Sequence, residues 1–489
     1  MRSVGILLPV FSLPSEYGIG SFGKEAYEFI DFCNESGIGA WQMLPLGPTG
    51  YGDSPYQSFS AFAWNPYYVD IEELVKEGLL KDSEVAAHKV PVNQVDYLAL
   101  YNTRFSLLHK AFHRFDKNKN TEYSAFVREN AFWLKDYALY MAIKDAHHGK
   151  CFTTWEKDLK FRKPMALTKA KRLYKKEIEF YMFVQFYAGK QWNQIHNYAR
   201  SRGVKLIGDI PFYVAYDSAD VWCNPGYFQL DENLDMVSVA GCPPDAFSED
   251  GQLWGNPLYR WEVHREERYN WWITRIRQNL MVYDKLRIDH FRGFESYYSI
   301  PGEDDTAKNG HWVKGPGAEF FDVVNEAIVH PDIIAEDLGI LGPKVRELLD
   351  YTEYPGMKVL QFAFNHLEES AYLPKNHVKH CVVYTGTHDN DTLKGWYESL
   401  SDEDLEYLCS VLGKKVTYES VAYDMIELAM ASVADMVIIP MADFLALPSS
   451  ARINQPSTLG ENWKWRMDKN ALSDELSGCI KNLLATYER

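Results

Sequence analysis

At 489 residues the chain is long enough for one large barrel with insertions or for two or three ordinary domains, so length alone leaves the architecture open. Asp and Glu number 68 against 51 Lys and Arg, a net charge of −17 that would repel a phosphate backbone and argues against a nucleic-acid partner. No run approaches the ~18 apolar residues of a membrane span, and the cysteines (Cys33, Cys151, Cys223, Cys242, Cys381, Cys409 and Cys479) are dispersed without a C-x-x-C pair, a reduced, cytoplasmic pattern with no zinc ribbon.

The first apolar run, Val4 to Phe11, looks superficially like a secretory leader, but Pro9 interrupts it and no small-x-small cleavage site follows, so it is read as part of the fold. Residues 18–23, GIGSFG, fit G-x-G-x-x-G ahead of the helix-like KEAYEFIDFCNESG. The next strand, AWQMLPLG at 40–47, ends without the acidic residue that a dinucleotide fold uses to hold a ribose. Helix and strand instead open a β/α alternation. The loop at 47–66 is crowded with Gly, Pro, Ser and aromatics, a composition suited to walling a cleft above a strand end. Pro66-Tyr67-Tyr68-Val69-Asp70 is expected to form the second strand.

From about 71 to 203 the pattern turns to long amphipathic helices at 97–115, 121–148 and 168–202, a helical insertion between strands two and three. Its basic run, 157–176, reads as a solvated helical face. Strand character returns at 204–214, where Asp209 follows Leu206-Ile207-Gly208. The irregular segment 215–260 comes next, and its length marks it as a functional loop or lid containing Gly241 and Gly251. Helix and strand then alternate to the end. Strands near 40, 67, 206, 285, 332, 357, 381 and 436 predict an α/β fold, a (β/α)8 TIM barrel over 1–489 without an appended C-terminal β-sandwich domain.

Three of these strands end in carboxylates that a packed core could not hide without partners. KLRIDHF brings Arg287, Asp289 and His290; DIIAEDLG brings Glu336 and Asp337; CVVYTGTHDND brings His388, Asp389, Asn390 and Asp391. In an α/β barrel all such ends meet at one rim. Two carboxylates across a cleft are the minimum equipment for cleaving a glycosidic bond, with a separation of ~5–5.5 Å for retention and ~6.5–9.5 Å for inversion. Asp289 and Glu336 are the natural pair, since burial and the Asp289 charge would raise the Glu336 pKa as an acid requires. Asp389 is placed to hydrogen-bond sugar hydroxyls and to stabilise positive charge on the ring.

Aromatic residues make up 15% of the chain, and although core packing accounts for most, many sit beside Gly, Pro, Asn or Asp, as in Ala63-Trp64-Asn65 and Leu253-Trp254-Gly255. Such rings suit the apolar faces of sugars. A metal-dependent barrel hydrolase built on His290, His388, Asp389 and Asp391 is a rival, weakened because AWQMLPL carries no His. A non-catalytic glucan-binding protein is another, but it would need no carboxylate triad.

LRIDHFRGF, IIAEDLG and YTGTHDND, in that order, resemble the strand ends of the α-amylase superfamily. GILLPVFSLPSEYGIGSFG, GDSPYQSFSAFAWNPYYVD, PPDAFSEDGQLWGNP and NWKWR narrow the resemblance to the 4-α-glucanotransferases, or amylomaltases, with matching blocks to about residue 466. The resemblance implies a retaining double displacement in which Asp289 is the nucleophile, Glu336 the acid/base and Asp389 the transition-state stabiliser. It implies that Arg287 orients Asp289 and that His290, His388 and Asn390 contact the sugar at the cleaved bond. It places Asp209, Asp245, Gln252 and Trp254 in the cleft and lid, Ser54 and Tyr56 in the first loop, and Asn462 as a further match. The implied substrates are α-1,4-glucans and maltooligosaccharides, with glucose as an acceptor and no cofactor. GDIPFYV lacks the Asn-His that calcium-binding amylases carry after the third strand, so no structural calcium is expected. An α-amylase-like retaining hydrolase is the alternative within the same superfamily.

Overall fold

Eight parallel strands close into a barrel in the computed structural model, which describes residues 2–90, 93–244, 249–339, 341–367 and 369–489. In chain order they are Ser3–Leu7, Ala40–Gln42, Lys205–Ile210, Lys285–Ile288, Ile333–Ala335, Gly356–Val359, Cys381–Tyr384 and Met436–Pro440. Each is a short, mostly buried apolar run, as expected of strands covered by helices on one side and filled by side chains on the other.

The eight strands differ from the expected set at one position. Residues 66–70 form no strand: Pro66–Tyr68 is a 3-10 turn. Pro66 has no N–H for a ladder, the Asn65 side chain accepts the Tyr67 N–H at 3.0 Å, and the Asp70 side chain accepts the Glu73 N–H at 2.9 Å to start a helix. The missing strand is supplied by Ser3–Leu7, which pairs with both Ala40–Gln42 and Met436–Pro440 and so closes the barrel. Close approach is required there, because a Cβ at Gly5 would lie 3.2 Å from the Ala40 carbonyl oxygen.

Between the second and third barrel strands run helices including Tyr97–Arg114, Thr121–Glu129, Ala131–Ala146, Pro164–Leu173 and Lys175–Ser201. Phe112, Phe115, Phe180, Phe183 and Phe186 pack together inside this layer. The buried Arg104 ties it to the barrel by donating to the carbonyls of Tyr67, Val69 and Tyr17 at 2.8–3.1 Å. Residues 157–176 are largely solvated.

The segment 215–260 carries more regular structure than its composition suggests. Ser238–Cys242 and Gln252–Pro257 join Ser296–Pro301 and His311–Lys314 in a four-stranded antiparallel sheet. Its pairing partners lie in a second excursion, after the fourth barrel strand, which is why neither half reads as a sheet in isolation.

Candidate active site

Register builds the site. Asp209 pairs with Arg287 across the third and fourth barrel strands, and Ile288 pairs with Ala335 across the fourth and fifth. Side chains at ladder-matched positions of parallel strands stand side by side on one face. Arg287 Nη1 accordingly donates to both Asp209 oxygens, at 2.8 and 2.7 Å, and its Nη2 lies 2.9 Å from Asp289 Oδ1. The Asp209 and Arg287 side chains are 0% and 4% exposed, whereas Asp289 keeps 31% of its surface open. Burial alone would lower the Arg287 pKa, but the Asp209 and Asp289 carboxylates hold it well above the usual range.

Beyond Asp289 the chain turns sharply. His290 adopts the left-handed conformation, φ 50°, an uncommon state for a residue with a side chain and one concentrated at functional sites. That turn aims the His290 N–H at Glu336 Oε2, 2.7 Å away, while the Leu338 N–H reaches Glu336 Oε1 at 2.8 Å. Burial, reinforced by the Asp289 charge, pushes the Glu336 carboxyl up to about 7, against the opposing pull of Arg287 and the two amides. Burial also holds the His290 imidazole near 4 despite the attraction of Asp289, and its Nε2 is shielded from solvent without a hydrogen-bond partner.

The third carboxylate arrives from the seventh strand. The Thr387 N–H and hydroxyl both donate to Asn390 Oδ1, at 2.9 and 3.0 Å, closing a turn that presents Asp389, whose side chain is 47% exposed. Asp389 Oδ1 accepts from Asn454 Nδ2 at 2.6 Å and lies 3.3 Å from His388 Nε2. His388 is buried under the Tyr56 ring, with centroids 4.9 Å apart and planes 19° from parallel. The Tyr56 hydroxyl links two strand ends, donating to Asp209 Oδ2 at 2.8 Å and lying 3.3 Å from His388 Nδ1.

Gln252 and Trp254 occupy alternate positions on one edge strand of the antiparallel sheet, and the indole N–H donates to Gln252 Oε1 at 3.0 Å. The Trp254 ring stands edge-on to His290, 4.9 Å between centroids and 89° between planes. Asn256 anchors this strand, donating to the Val214 carbonyl at 2.8 Å and accepting from Gln57 at 3.2 Å. Ser54, Trp254, Asn454, Asn462 and Trp463 line one groove of about 420 Å³. Within it, Ser54 Oγ accepts the Tyr56 N–H at 3.2 Å, and Asn462 closes a turn through the Gln455 N–H at 2.9 Å and the Thr458 carbonyl at 2.9 Å. Asp245 lies outside the described residues. Among the described residues, no three His, Cys, Asp or Glu side chains gather as a metal-ligand set, and no helix is long and apolar enough to cross a membrane.

The sequence model of the family described as 4-alpha-glucanotransferase matches residues 8–472. The chain belongs to that family. It is 44% identical to the 4-alpha-glucanotransferase of Clostridium butyricum, over 98% of this chain and 99% of the relative. A second relative of the same name, from Aquifex aeolicus, is also 44% identical, with full coverage of both chains. The solved amylomaltase of Streptococcus agalactiae, in complex with acarbose, superposes with a TM-score of 0.97 at 37% identity, covering all of both chains. The activity is therefore 4-α-glucanotransfer, and these relatives do not favour the hydrolase alternative.

Three residues of this enzyme's site escaped the sequence reading. Trp463 packs within 6.0 Å of Tyr56 and 5.9 Å of His388, while Asn454 and Arg452 bind the Asp389 loop. Trp463 belongs to the NWKWR block and could have been singled out with Asn462. ARINQP offers no comparable signal, because its importance comes from contacts with a loop more than sixty positions earlier.

Proposed function

We propose that Asp289 attacks the anomeric carbon of an α-1,4-linked glucose unit while Glu336 donates its proton to the departing glycosidic oxygen. The C1–O bond breaks, the reducing-end fragment leaves with that proton, and the donor remains as a glycosyl ester of Asp289. The 4-hydroxyl of glucose or of another maltooligosaccharide then gives its proton to the Glu336 carboxylate and attacks C1, expelling Asp289 with net retention. Asp389 stabilises positive charge on the ring as each bond breaks. Arg287 orients Asp289, and His290, His388 and Asn390 meet the sugar hydroxyls. Gln252 and Trp254 close over the cleft, so that an acceptor sugar rather than water reaches the ester.

The observation that carries this reading is the link between neighbouring strand ends, where the residue after Asp289 donates its N–H to Glu336. Seven widely spaced cysteines without a C-x-x-C pair support a reducing, cytoplasmic setting. The test is incubation with maltotriose, which should yield glucose together with a ladder of longer maltooligosaccharides. Asp289→Asn should abolish both while leaving the fold intact. Reducing-end gain without elongation, or a fully active Asp289→Asn, would overturn the reading.

A further inference from the structure

The segment after the eighth barrel strand grips the Asp389 loop at five points. Arg452 is central: Nη2 donates to the Asp389 carbonyl at 2.7 Å, Nε donates to the Asn454 carbonyl at 2.8 Å, and Nη1 lies 3.7 Å from Asp391 Oδ2. Asn454 is thereby set to donate its side-chain amide to Asp389 Oδ1 at 2.6 Å and its backbone N–H to the His388 carbonyl at 3.1 Å. The Ser449 hydroxyl holds Asp391 from the same segment at 2.6 Å. Loops are ordinarily the most mobile parts of a barrel, and a carboxylate that is 47% exposed has few contacts of its own to fix it.

We propose that Arg452 is a positioning residue for the reaction: it locks the 449–454 segment onto the Asp389 backbone, so that Asn454 restrains one carboxylate oxygen and leaves the other to face the sugar. This rests on the role given to Asp389 above. Arg suits the position because its planar fork serves three acceptors in different directions, two of them carbonyls. Lys could satisfy one or two of them and would leave the segment partly free.

A small misplacement of a group that acts on the transition state lowers turnover far more than binding, commonly by up to ~100-fold. Full-length Arg452→Ala should therefore lose about 10–100-fold in kcat for maltotriose disproportionation, with KM within about threefold of the parent. Its unfolding midpoint should stay within a few degrees, and guanidinium chloride at tens of millimolar should restore part of kcat. Arg452→Lys should fall between the two and gain nothing from guanidinium. Should Arg452→Ala fail to fold, Arg452→Met, which keeps an apolar stem, is measured in its place. Asp389→Asn is run alongside. If it is inactive while the Arg452 variant turns over within threefold of the parent, the positioning role is overturned and the Asp389 assignment stands. If Asp389→Asn itself stays active, both fall.

Discussion

The backbone N–H of His290 donates to Glu336 Oε2 over 2.7 Å, tying the turn after Asp289 to the carboxylate proposed as acid/base. That bond favours the ionised form, yet burial and the Asp289 charge outweigh it and leave Glu336 near 7. In the proposed mechanism the protonated form begins the reaction, so kcat/KM for maltotriose should decline as pH rises through about 7. Glu336→Ala should lose roughly 10²–10⁴-fold with a poor leaving group and should recover with α-maltosyl fluoride plus azide. Attack of azide on the Asp289 ester then yields an α-configured maltosyl azide. A β-configured product would be inconsistent with an intermediate on Asp289.

The same shift has a consequence for stability. A carboxyl whose folded pKa rises from 4.5 to about 7 contributes stability that is complete below the unfolded value and is lost as pH rises through 7. The loss amounts to on the order of 3 kcal/mol, reduced by solvent at the cleft mouth. Glu336→Gln removes the titration but supplies only one acceptor for the two amides, a cost of about 1 kcal/mol at any pH. The unfolding midpoint of the variant relative to the parent should therefore be higher at pH 8 than at pH 4. A difference that does not vary with pH would show that ionised Glu336 carries no penalty in the folded state.

Asp209, expected as a wall of the cleft, has both oxygens engaged by Arg287 and one also by Tyr56. Removing one partner of a buried ion pair strands the other charge and costs about 3–5 kcal/mol. Asp209→Ala is thus expected to lower denaturant stability by that amount and to reduce kcat as Arg287 loses its orientation. Loss of substrate affinity with unchanged stability would instead make Asp209 a direct sugar contact.

Much of this was legible in the sequence because the chemistry is concentrated at strand ends. Leu286, Ile288, Ile333, Ile334, Val382 and Val383 mark buried strands, and the polar residues that follow them have one rim to occupy. What was not legible depends on tertiary partners. Ser3–Leu7 becomes a strand only because Ala40–Gln42 and Met436–Pro440 flank it. Pro66–Tyr68 carries strand-like residues but is diverted by the Asn65 and Asp70 caps. Arg452 and Asn454 look like ordinary surface polars until the seventh strand's loop is laid beside them.

Trp254 bears on what separates transfer from hydrolysis. Its ring stands edge-on to His290, its indole N–H is engaged by Gln252, and its strand is fastened at Asn256, so the ring is held over the turn that carries Asp289. An apolar ring in that place excludes water while offering a surface to the C–H face of an acceptor sugar. Trp254→Ala should lower the transfer-to-hydrolysis ratio with maltotriose by roughly tenfold, the equivalent of the ~1.4 kcal/mol that an aromatic contact supplies. Trp254→Phe should recover most of it. The ratio is read by comparing elongated products with new reducing ends. If Trp254→Ala raises KM while the ratio holds, the ring only binds sugar, and exclusion of water must be credited to the acceptor itself.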